Sequence, residues 1–208
     1  MPSSSESILS TYSYAVNHYK SPVISLEHRI LYNCSFRTDI KKQYSEKNPF
    51  TSYLIRKGKG VTVVATSVMV VDALKAANFV KENNGIETEI IDLHCISHPN
   101  INLILKSLKK TGKLIIADTG WASYGVCAEI CRIILTNNPE LLKAPVIQLS
   151  MAPSPCPTAK TLENYFYPNI ENIINSIYKL TAKRKISAAK SLRKEFLNKH
   201  YENFKGPF

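Results

Sequence analysis

Few side chains in this sequence combine the type and the position that acid–base or nucleophilic chemistry requires. Glu27 and His28 follow one predicted strand, and Asp118 follows another. A carboxylate or an imidazole at the carboxyl end of a parallel strand can face a bound ligand. An ion pair with Arg29 would explain Glu27 and His28 equally well, and Asp118 is also a common turn residue. The residue types alone leave both the functional and the structural roles of these residues open.

Two groups of residues have some of the side chains that bind metal ions. His94, Cys95 and His98 lie within one predicted loop and resemble part of a zinc site, but no neighbouring acid or cysteine completes the set. Cys127 and Cys131 are four positions apart on one predicted helix and could share a metal. Small residues buried on a packing face explain that spacing better. No zinc site is predicted from either group.

Familiar phosphate-binding and nucleophile motifs are missing from the sequence. There is neither a GxSxG nucleophile elbow nor a GxGxxG fingerprint after a predicted strand. Residues 57–60 combine lysine with glycine but lack the spacing and the terminal Lys-Ser/Thr of a phosphate-binding loop. From spacing alone, the chain could be either a ligand-binding α/β module or an assembly domain.

Residues 113–135 form the stretch around which the rest of the chain can be placed. The apolar run at 114–117 is typical of a strand that is covered on both faces of a parallel sheet. A turn at 119–125 follows, with two glycines, a tryptophan and a tyrosine, and then an amphipathic helix. Such strand-to-helix turns at the carboxyl edge of a sheet are where ligands and partners usually bind.

The remaining elements alternate between strand and helix patterns. Thr66 or Ser67 is the predicted N-cap of one helix, and Gly85 is its predicted stop. Further strands are predicted at residues 23–26, 52–56, 61–65, 86–93 and 145–149, and helices at 7–19, 66–83, 101–108, 158–162, 169–180 and 183–201. This order predicts an α/β fold with three layers, α/β/α, and a mostly parallel sheet over residues 52–182.

The composition limits the class of protein. The chain has 208 residues, of which 44% are hydrophobic, so it can bury the core of a full domain. Its net charge is +11, but basic residues are concentrated at positions 179–205, which favours a solvated basic tail over a nucleic-acid-binding patch. No apolar run approaches the ~20 residues that span a bilayer, and the five cysteines form no CxxC pair. We expect a soluble, cytoplasmic protein with reduced thiols.

Several blocks of the sequence resemble one protein family. GWASYGVCAEICRII, at residues 120–134, is similar to the strand-turn-helix block in the β chain of the thiamine-diphosphate-dependent 2-oxo acid dehydrogenases. PVISLEHRILYN is similar to that family's Pro-Val-Ile-Phe-Leu-Glu-His-Lys-Leu-Leu-Tyr segment. The family's order and approximate spacing are also followed by VTVVATSVMVVDALKAA, IETEIIDLHCI, KSLKKTGKLIIAD, APVIQLS and PSPCPTAKTLE. The resemblance covers residues 1–180.

The resemblance implies a division of the chain into four parts. Residues 52–182 would be the transketolase C-terminal domain, and residues 1–33 the end of the preceding pyrimidine-binding domain. Residues 34–51 would be a linker and residues 183–208 an added basic helical tail. The glutamate that activates the cofactor in the family belongs to the part of the pyrimidine-binding domain that has no counterpart here. The resemblance therefore implies that this chain by itself is inactive, with no catalytic residue and no cofactor-binding residue of its own.

The resemblance also implies cofactors and partners. Thiamine diphosphate and magnesium would act in the assembled enzyme, where an α chain supplies their binding, and would not be bound by this chain alone. The expected partners are that α chain, a second β chain and an acyltransferase core, with no membrane and no nucleic acid. This chain would contribute a subunit interface and a docking surface to the oxidative decarboxylation of pyruvate or a related 2-oxo acid.

Two sets of site residues follow from the resemblance and from the residue types. A potassium site that is bound largely by backbone oxygens would correspond to Ala15, Val16 and His18, with a one-residue insertion before Pro22 shifting the register. A protein interface is predicted at the turn and helix after residue 119, because large amphipathic side chains concentrate binding energy in interfaces. The predicted interface residues are Gly120, Trp121, Tyr124, Gly125 and Glu129.

The sequence departs from the family pattern at several positions. Asp-Leu-Arg-Thr-Ile in the family is Asp-Leu-His-Cys-Ile here, so His94 stands in place of an arginine whose forked contacts it cannot reproduce. The following Pro-x-Asp becomes His98, Pro99 and Asn100, and the glycine expected after a strand is Ser67. These departures leave a second reading open, in which a non-catalytic assembly or regulatory module keeps the fold.

Overall fold

The computed structural model describes residues 1–33, residue 44 and residues 47–182. Most of the predicted linker at 34–51 and the whole predicted tail at 183–208, with its helix at 183–201, lie outside the described residues. The described part forms an α/β fold around one five-stranded sheet. No helix in this part of the chain is both long enough and apolar enough to cross a membrane.

The sheet is mostly parallel, as the sequence predicts. The strands are β1, Tyr53–Arg56; β2, Val61–Ala65; β3, Thr88–Asp92; β4, Leu114–Ala117; and β5, Ile147–Leu149. Their spatial order is β1-β3-β2-β4-β5, so β2 is the central strand and β4 lies beside it. The pairs β2–β3, β2–β4 and β4–β5 are parallel, and only β1 runs antiparallel, against β3.

Helices cover both faces of the sheet, which confirms the three-layer prediction. The α-helices of the described residues are α1, Ser5–Asn17; α2, Val68–Asn84; α3, Ile101–Thr111; α4, Val126–Asn137; α5, Lys160–Phe166; and α6, Ile170–Thr181. The core on one face includes residues of α2 and α6, and the core on the other face includes residues of α3 and α4. Because both faces are covered, every residue of β2, β3 and β4 is buried.

Helix ends follow the local sequence signals at most positions. Gly85 and Gly112 end α2 and α3 in the left-handed conformation that glycine adopts without steric cost, and Gly85 is the predicted stop. Asn100 caps α3 by accepting a hydrogen bond from the Leu103 N–H at 3.0 Å. Ser67 occupies the N-cap position of α2, but its side chain makes no capping bond, so the predicted hydroxyl cap is wrong. Its hydroxyl donates instead to the Pro2 carbonyl at 3.0 Å.

The apolar run at residues 23–26 is not a strand, contrary to the prediction. It has no regular secondary structure and pairs with no strand in the described part of the chain. Its residue Ile24 is 86% exposed. A strand needs a neighbouring backbone to satisfy its N–H and C=O groups, and an apolar pattern does not supply that neighbour. The helix predicted at 158–162 overlaps an observed helix that begins and ends later, at Lys160–Phe166.

Candidate functional site

The carboxyl ends of the parallel strands meet at one edge of the sheet, where α/β proteins usually bind ligands and partners. Two structures lie at this edge. The N-terminal segment, residues 1–33, contacts the β2 and β3 side through hydrogen bonds of Met1, Pro2 and Ser3. The interface turn, residues 119–125, follows β4. The edge is therefore divided into a covered half and an open half.

Asp92, the last residue of β3, is the centre of a buried polar cluster in the covered half. Its carboxylate accepts hydrogen bonds from the Ser3 hydroxyl at 2.6 Å, the Tyr44 hydroxyl at 2.8 Å and the His94 N–H at 2.9 Å. Burial raises the pKa of Asp92 to about 6, against the effect of these hydrogen bonds, which stabilise the ionised form. Burial and the Asp92 carboxylate raise the pKa of Tyr44 strongly, so its hydroxyl stays protonated.

His94 belongs to the same cluster and does not form a metal site. Its Nε2 atom lies 2.9 Å from the Thr11 hydroxyl, and the Tyr44 and Tyr53 rings lie 5.6 and 5.4 Å from the imidazole, centroid to centroid. Burial lowers the pKa of His94 to about 4, so the ring is neutral at neutral pH. The described residues contain no group of three His, Cys, Asp or Glu side chains that could hold a metal ion.

A cavity of about 380 Å³ lies between the N-terminal segment and the loop that follows β3. We call it the edge cavity. It is lined by Met1, Thr11, Tyr19, Pro22, Val23, Ile24, Ser25, Leu26, Phe50, His94, Cys95, Ile96, Ser97 and His98. None of these residues is Asp, Glu, Lys or Arg. The cavity therefore provides hydroxyl, thiol and imidazole groups but no carboxylate for magnesium and no cationic side chain for a diphosphate.

The acids considered in the sequence analysis have structural partners. The Glu27 carboxylate accepts hydrogen bonds from the hydroxyls of Tyr12, Ser25 and Tyr32, and among the described residues it makes no ion pair with Arg29. These hydroxyls lower the pKa of Glu27, the Tyr12 bond having the largest effect. The neighbouring imidazole differs: Nδ1 of His28 is buried without a hydrogen-bond partner.

Asp118, at the end of β4, is also bound to a neighbouring strand end. Its carboxylate accepts a hydrogen bond from the hydroxyl of Thr66, which follows β2. Cys127 and Cys131 are buried in the core, as predicted, and burial raises the pKa of Cys127 to about 11. Asp118 therefore bridges two strand ends, and the two cysteines pack in the core. The absence of zinc at the cysteines stays a prediction.

The interface turn presents its large side chains to solvent. Trp121 is 45% exposed, and Tyr124 is fully exposed with a left-handed φ of 60°. A Cβ atom on Gly125 would lie 1.9 Å from the Trp121 carbonyl oxygen, so only glycine fits there. Gly120 lies beside Asp118, and Glu129, in the first turn of α4, pairs with Arg132 at 2.8 Å. The predicted interface at this turn stays a prediction.

The proposed potassium residues lie at the end of α1. Ala15 and Val16 are in its last turn, and His18 is its C-cap. The carbonyl groups at a helix end have no partner within the helix and can bind a cation. No bound ion tests this site, so it also stays a prediction.

Sequence reasoning missed the polar cluster around Asp92. Its members come from positions 3, 44, 92 and 94, and no local spacing connects them. A usable signal was present, because Asp92 ends a run of apolar residues in a strand that must be buried on both faces. A carboxylate at such a position requires hydrogen-bond partners from elsewhere in the chain.

The sequence of the sheet-containing part of the chain matches a known protein family. The family described as "Transketolase, C-terminal domain" matches residues 51–173, and the chain belongs to this family. This range overlaps the predicted domain at 52–182, whose exact boundaries stay predictions.

Several relatives of this chain are subunits of one enzyme. The chain is 37% identical over 161 residues to the pyruvate dehydrogenase E1 component subunit beta of Rickettsia conorii, a match that covers 77% of this chain and 48% of the relative. The mitochondrial subunits of the same name from Dictyostelium discoideum and Rattus norvegicus are 34% and 36% identical, with 79% and 76% of this chain and 47% and 45% of the relatives covered. The chain thus spans about half the length of the curated relatives it matches.

One solved structure supports the fold. A chain described as "Split gene transketolase, inactive beta4 tetramer" matches with a TM-score of 0.57 and 19% identity. The match covers 70% of this chain and 47% of that chain. At this level of identity the likeness concerns the fold alone.

Proposed function

We propose that the chain is the C-terminal part of the β subunit of a thiamine-diphosphate-dependent 2-oxo acid dehydrogenase. Such an enzyme decarboxylates pyruvate or a related 2-oxo acid and passes on the acyl group. The observation that carries the proposal is the 37% identity over 161 residues to a pyruvate dehydrogenase E1 beta subunit. In this role the chain contributes a subunit interface and a docking surface.

The open half of the carboxyl edge supports an assembly role. Trp121 and Tyr124 belong to neither of the two hydrophobic cores, although aromatic side chains of this size normally bury much of their surface. Tyr124 has a left-handed backbone conformation, and its side chain is fully exposed to solvent. Exposed aromatic anchors on a constrained turn are typical of protein interfaces. The proposed partners are an α chain and a second β chain, with an acyltransferase core docking on the assembly.

The described residues do not fit the charged part of thiamine diphosphate. The edge cavity has no cationic side chain for the diphosphate and no carboxylate for magnesium. The buried carboxylate of Asp92 is already occupied by Ser3, Tyr44 and the His94 N–H. We therefore assign the binding of cofactor and magnesium to the partner chains, and no step of the decarboxylation to this chain.

The substitution Trp121→Ala tests the interface. Truncating a central aromatic anchor commonly costs about 2 kcal/mol or more of association free energy. We expect the variant to weaken self-association, or pairing with a co-expressed α chain, in sedimentation experiments while its melting temperature as a monomer stays unchanged. Leu9→Ala, which truncates an exposed apolar residue of α1, is the control and should leave association unchanged. An intact oligomer with a lowered melting temperature would show that Trp121 supports only its own domain.

The alternative function is a non-catalytic assembly or regulatory module. A cavity lining without Asp, Glu, Lys or Arg and the departures at His94, Asn100 and Ser67 favour it. Co-expression with an α chain, followed by a pyruvate decarboxylation assay with thiamine diphosphate and magnesium, separates the two functions. Activity in the complex supports the dehydrogenase subunit, whereas a stable complex without activity supports the module.

A further inference from the structure

The edge cavity has the size and position of a small-molecule site. Its volume of about 380 Å³ falls within the range of about 300–1,000 Å³ that is usual for ligand pockets. It lies beside the loop that leaves the carboxyl end of β3, and this edge of an α/β sheet is where ligands bind most often. The proposed function gives this cavity no role.

One wall of the cavity is held rigidly. His94 has a left-handed φ of 49°, and the Cys95 N–H donates to the Leu93 carbonyl across it, forming a γ-turn. The His94 N–H donates to Asp92, its carbonyl accepts from the Met1 nitrogen at 2.7 Å, and its Nε2 atom is bound to Thr11. A strained residue that the surrounding structure holds in place is a feature of ligand sites, because it keeps the wall in one geometry.

The lining of the cavity defines the chemistry of its ligand. Val23, Leu26 and Phe50 provide apolar walls. Three polar residues of the lining form a short hydrogen-bonded chain. The Cys95 thiol lies 3.5 Å from the Ser97 hydroxyl, and this hydroxyl lies 3.0 Å from Nδ1 of His98. No lining residue is Asp, Glu, Lys or Arg. The Met1 ammonium at the lining donates to the His94 carbonyl and already has the Asp92 carboxylate as a counter-charge, so a carboxylate or a phosphate would lose its hydration for little gain.

We propose that the edge cavity binds an uncharged, mainly apolar small molecule that carries one hydrogen-bonding group, such as an aromatic alcohol. The apolar body packs against Val23, Leu26 and Phe50, and the polar group bonds to the chain formed by Cys95, Ser97 and His98. The site is independent of the proposed dehydrogenase role.

The Cys95 thiol allows a direct test with 2-naphthol as the probe. N-Phenylmaleimide alkylates thiols: a new S–C bond forms, the maleimide double bond opens, and the thiol proton ends on the adjacent carbon. Peptide mass spectrometry gives the rate at Cys95 and, in the same sample, at Cys156, which is exposed and does not line the cavity. We expect 2-naphthol at ten times its Kd to slow the reaction at Cys95 by about tenfold, with the rate at Cys156 unchanged.

A charged probe and two variants complete the experiment. Naphthalene-2-sulfonate should give no protection of Cys95, because the cavity has no Lys or Arg side chain for its charge and the Met1 ammonium already has Asp92 as a counter-charge. Val23→Trp should fill the cavity and abolish protection by 2-naphthol, whereas Leu9→Trp, at an exposed position of α1 outside the lining, should retain it. Thermal melts check that both variants are folded, and the comparison of the two probes in the unmodified chain decides the question without them. Equal rates at Cys95 with and without 2-naphthol, or equal protection by the sulfonate, would overturn the proposal.

Discussion

Asp92 shows how a single residue connects distant parts of this chain. Its hydroxyl partners Ser3 and Tyr44 lie 89 and 48 positions away in sequence. All three hydrogen bonds point to one carboxylate that is completely buried. Such a group costs free energy if it loses its partners, so it fixes the N-terminal segment to the end of β3.

The stability of the protein should depend on the ionisation of Asp92. The pKa of Asp92 is raised from 3.8 to about 6 in the fold, so between these values the folded chain keeps a proton that the unfolded chain has released. The free energy of unfolding therefore falls as the pH rises through this window, by up to about 3 kcal/mol, since one pKa unit corresponds to about 1.4 kcal/mol. Below and above the window this contribution is constant.

The substitution Asp92→Asn isolates that contribution. Urea unfolding of both proteins across the pH range gives the difference in free energy, wild type minus variant, which should decrease with rising pH and then level off. Glu129→Gln removes an exposed carboxylate and is the control for general charge effects. A difference that increases with pH would show that hydrogen bonding, and not burial, dominates the pKa of Asp92.

Ser67 gives a second prediction at the residue scale. Its backbone angles, φ 46° and ψ −121°, are uncommon for any residue other than glycine, and such strain costs about 1–3 kcal/mol. Its hydroxyl bond to Pro2 offsets about 1 kcal/mol of that cost. Ser67→Gly should therefore raise the free energy of unfolding by about 1 kcal/mol, whereas Ser67→Ala should lower it, because alanine keeps the strain and loses the bond. Thermal melts of the pair measure both effects, and equal melting temperatures would disprove the strain.

At the scale of elements, the interface turn is built around a close backbone contact. Gly125 precedes α4 and faces the Trp121 carbonyl, while Tyr124 between them adopts the left-handed region. The sequence shows the two glycines but not which of them a side chain could replace. The structure shows that Gly125 has no room for a Cβ atom, because one would lie 1.9 Å from that carbonyl oxygen.

Gly125→Ala should therefore change the shape of the turn. Trp121 is the only tryptophan in the chain, so its fluorescence reports the turn directly, and we expect a shifted emission spectrum together with weaker association. Gly85→Ala is the matched control, because Gly85 has a left-handed φ of 66° but no atom within 4 Å of the added Cβ. That variant should lose about 1–2 kcal/mol of stability with unchanged emission. An unchanged spectrum for Gly125→Ala would show that the turn can relax without moving the tryptophan.

At the scale of the whole molecule, the cofactor is expected to require partner chains. The described residues provide no cationic or acidic lining for thiamine diphosphate and magnesium at the edge cavity. We expect calorimetry to detect no tight binding of thiamine diphosphate with magnesium to this chain by itself, and no decarboxylation of pyruvate. Binding should appear when a compatible α chain and a complete pyrimidine-binding domain are present. Micromolar binding to this chain alone would contradict the prediction.

The architecture of residues 53–149 and the family could be predicted from local sequence patterns. The strands and the helices packed on them follow from short apolar runs and helical periodicity, since these patterns depend on which side chains face the core. The predicted helix stop at Gly85 is also local, because glycine adopts the left-handed conformation that ends the helix. The strand prediction at residues 23–26 was wrong because strand formation depends on a neighbouring strand, and a local sequence pattern does not show whether one is present.

The polar cluster and the cavity at the carboxyl edge of the sheet were found from the folded structure and not from the sequence. It brought Ser3, Tyr44, Asp92 and His94 together, and it enclosed a cavity between the N-terminal segment and the loop after β3. It also replaced the expected cap at Ser67 with a bond to Pro2. These features depend on contacts between residues that are far apart in the chain. The chain must fold before burial and hydrogen bonding can give such residues a common environment.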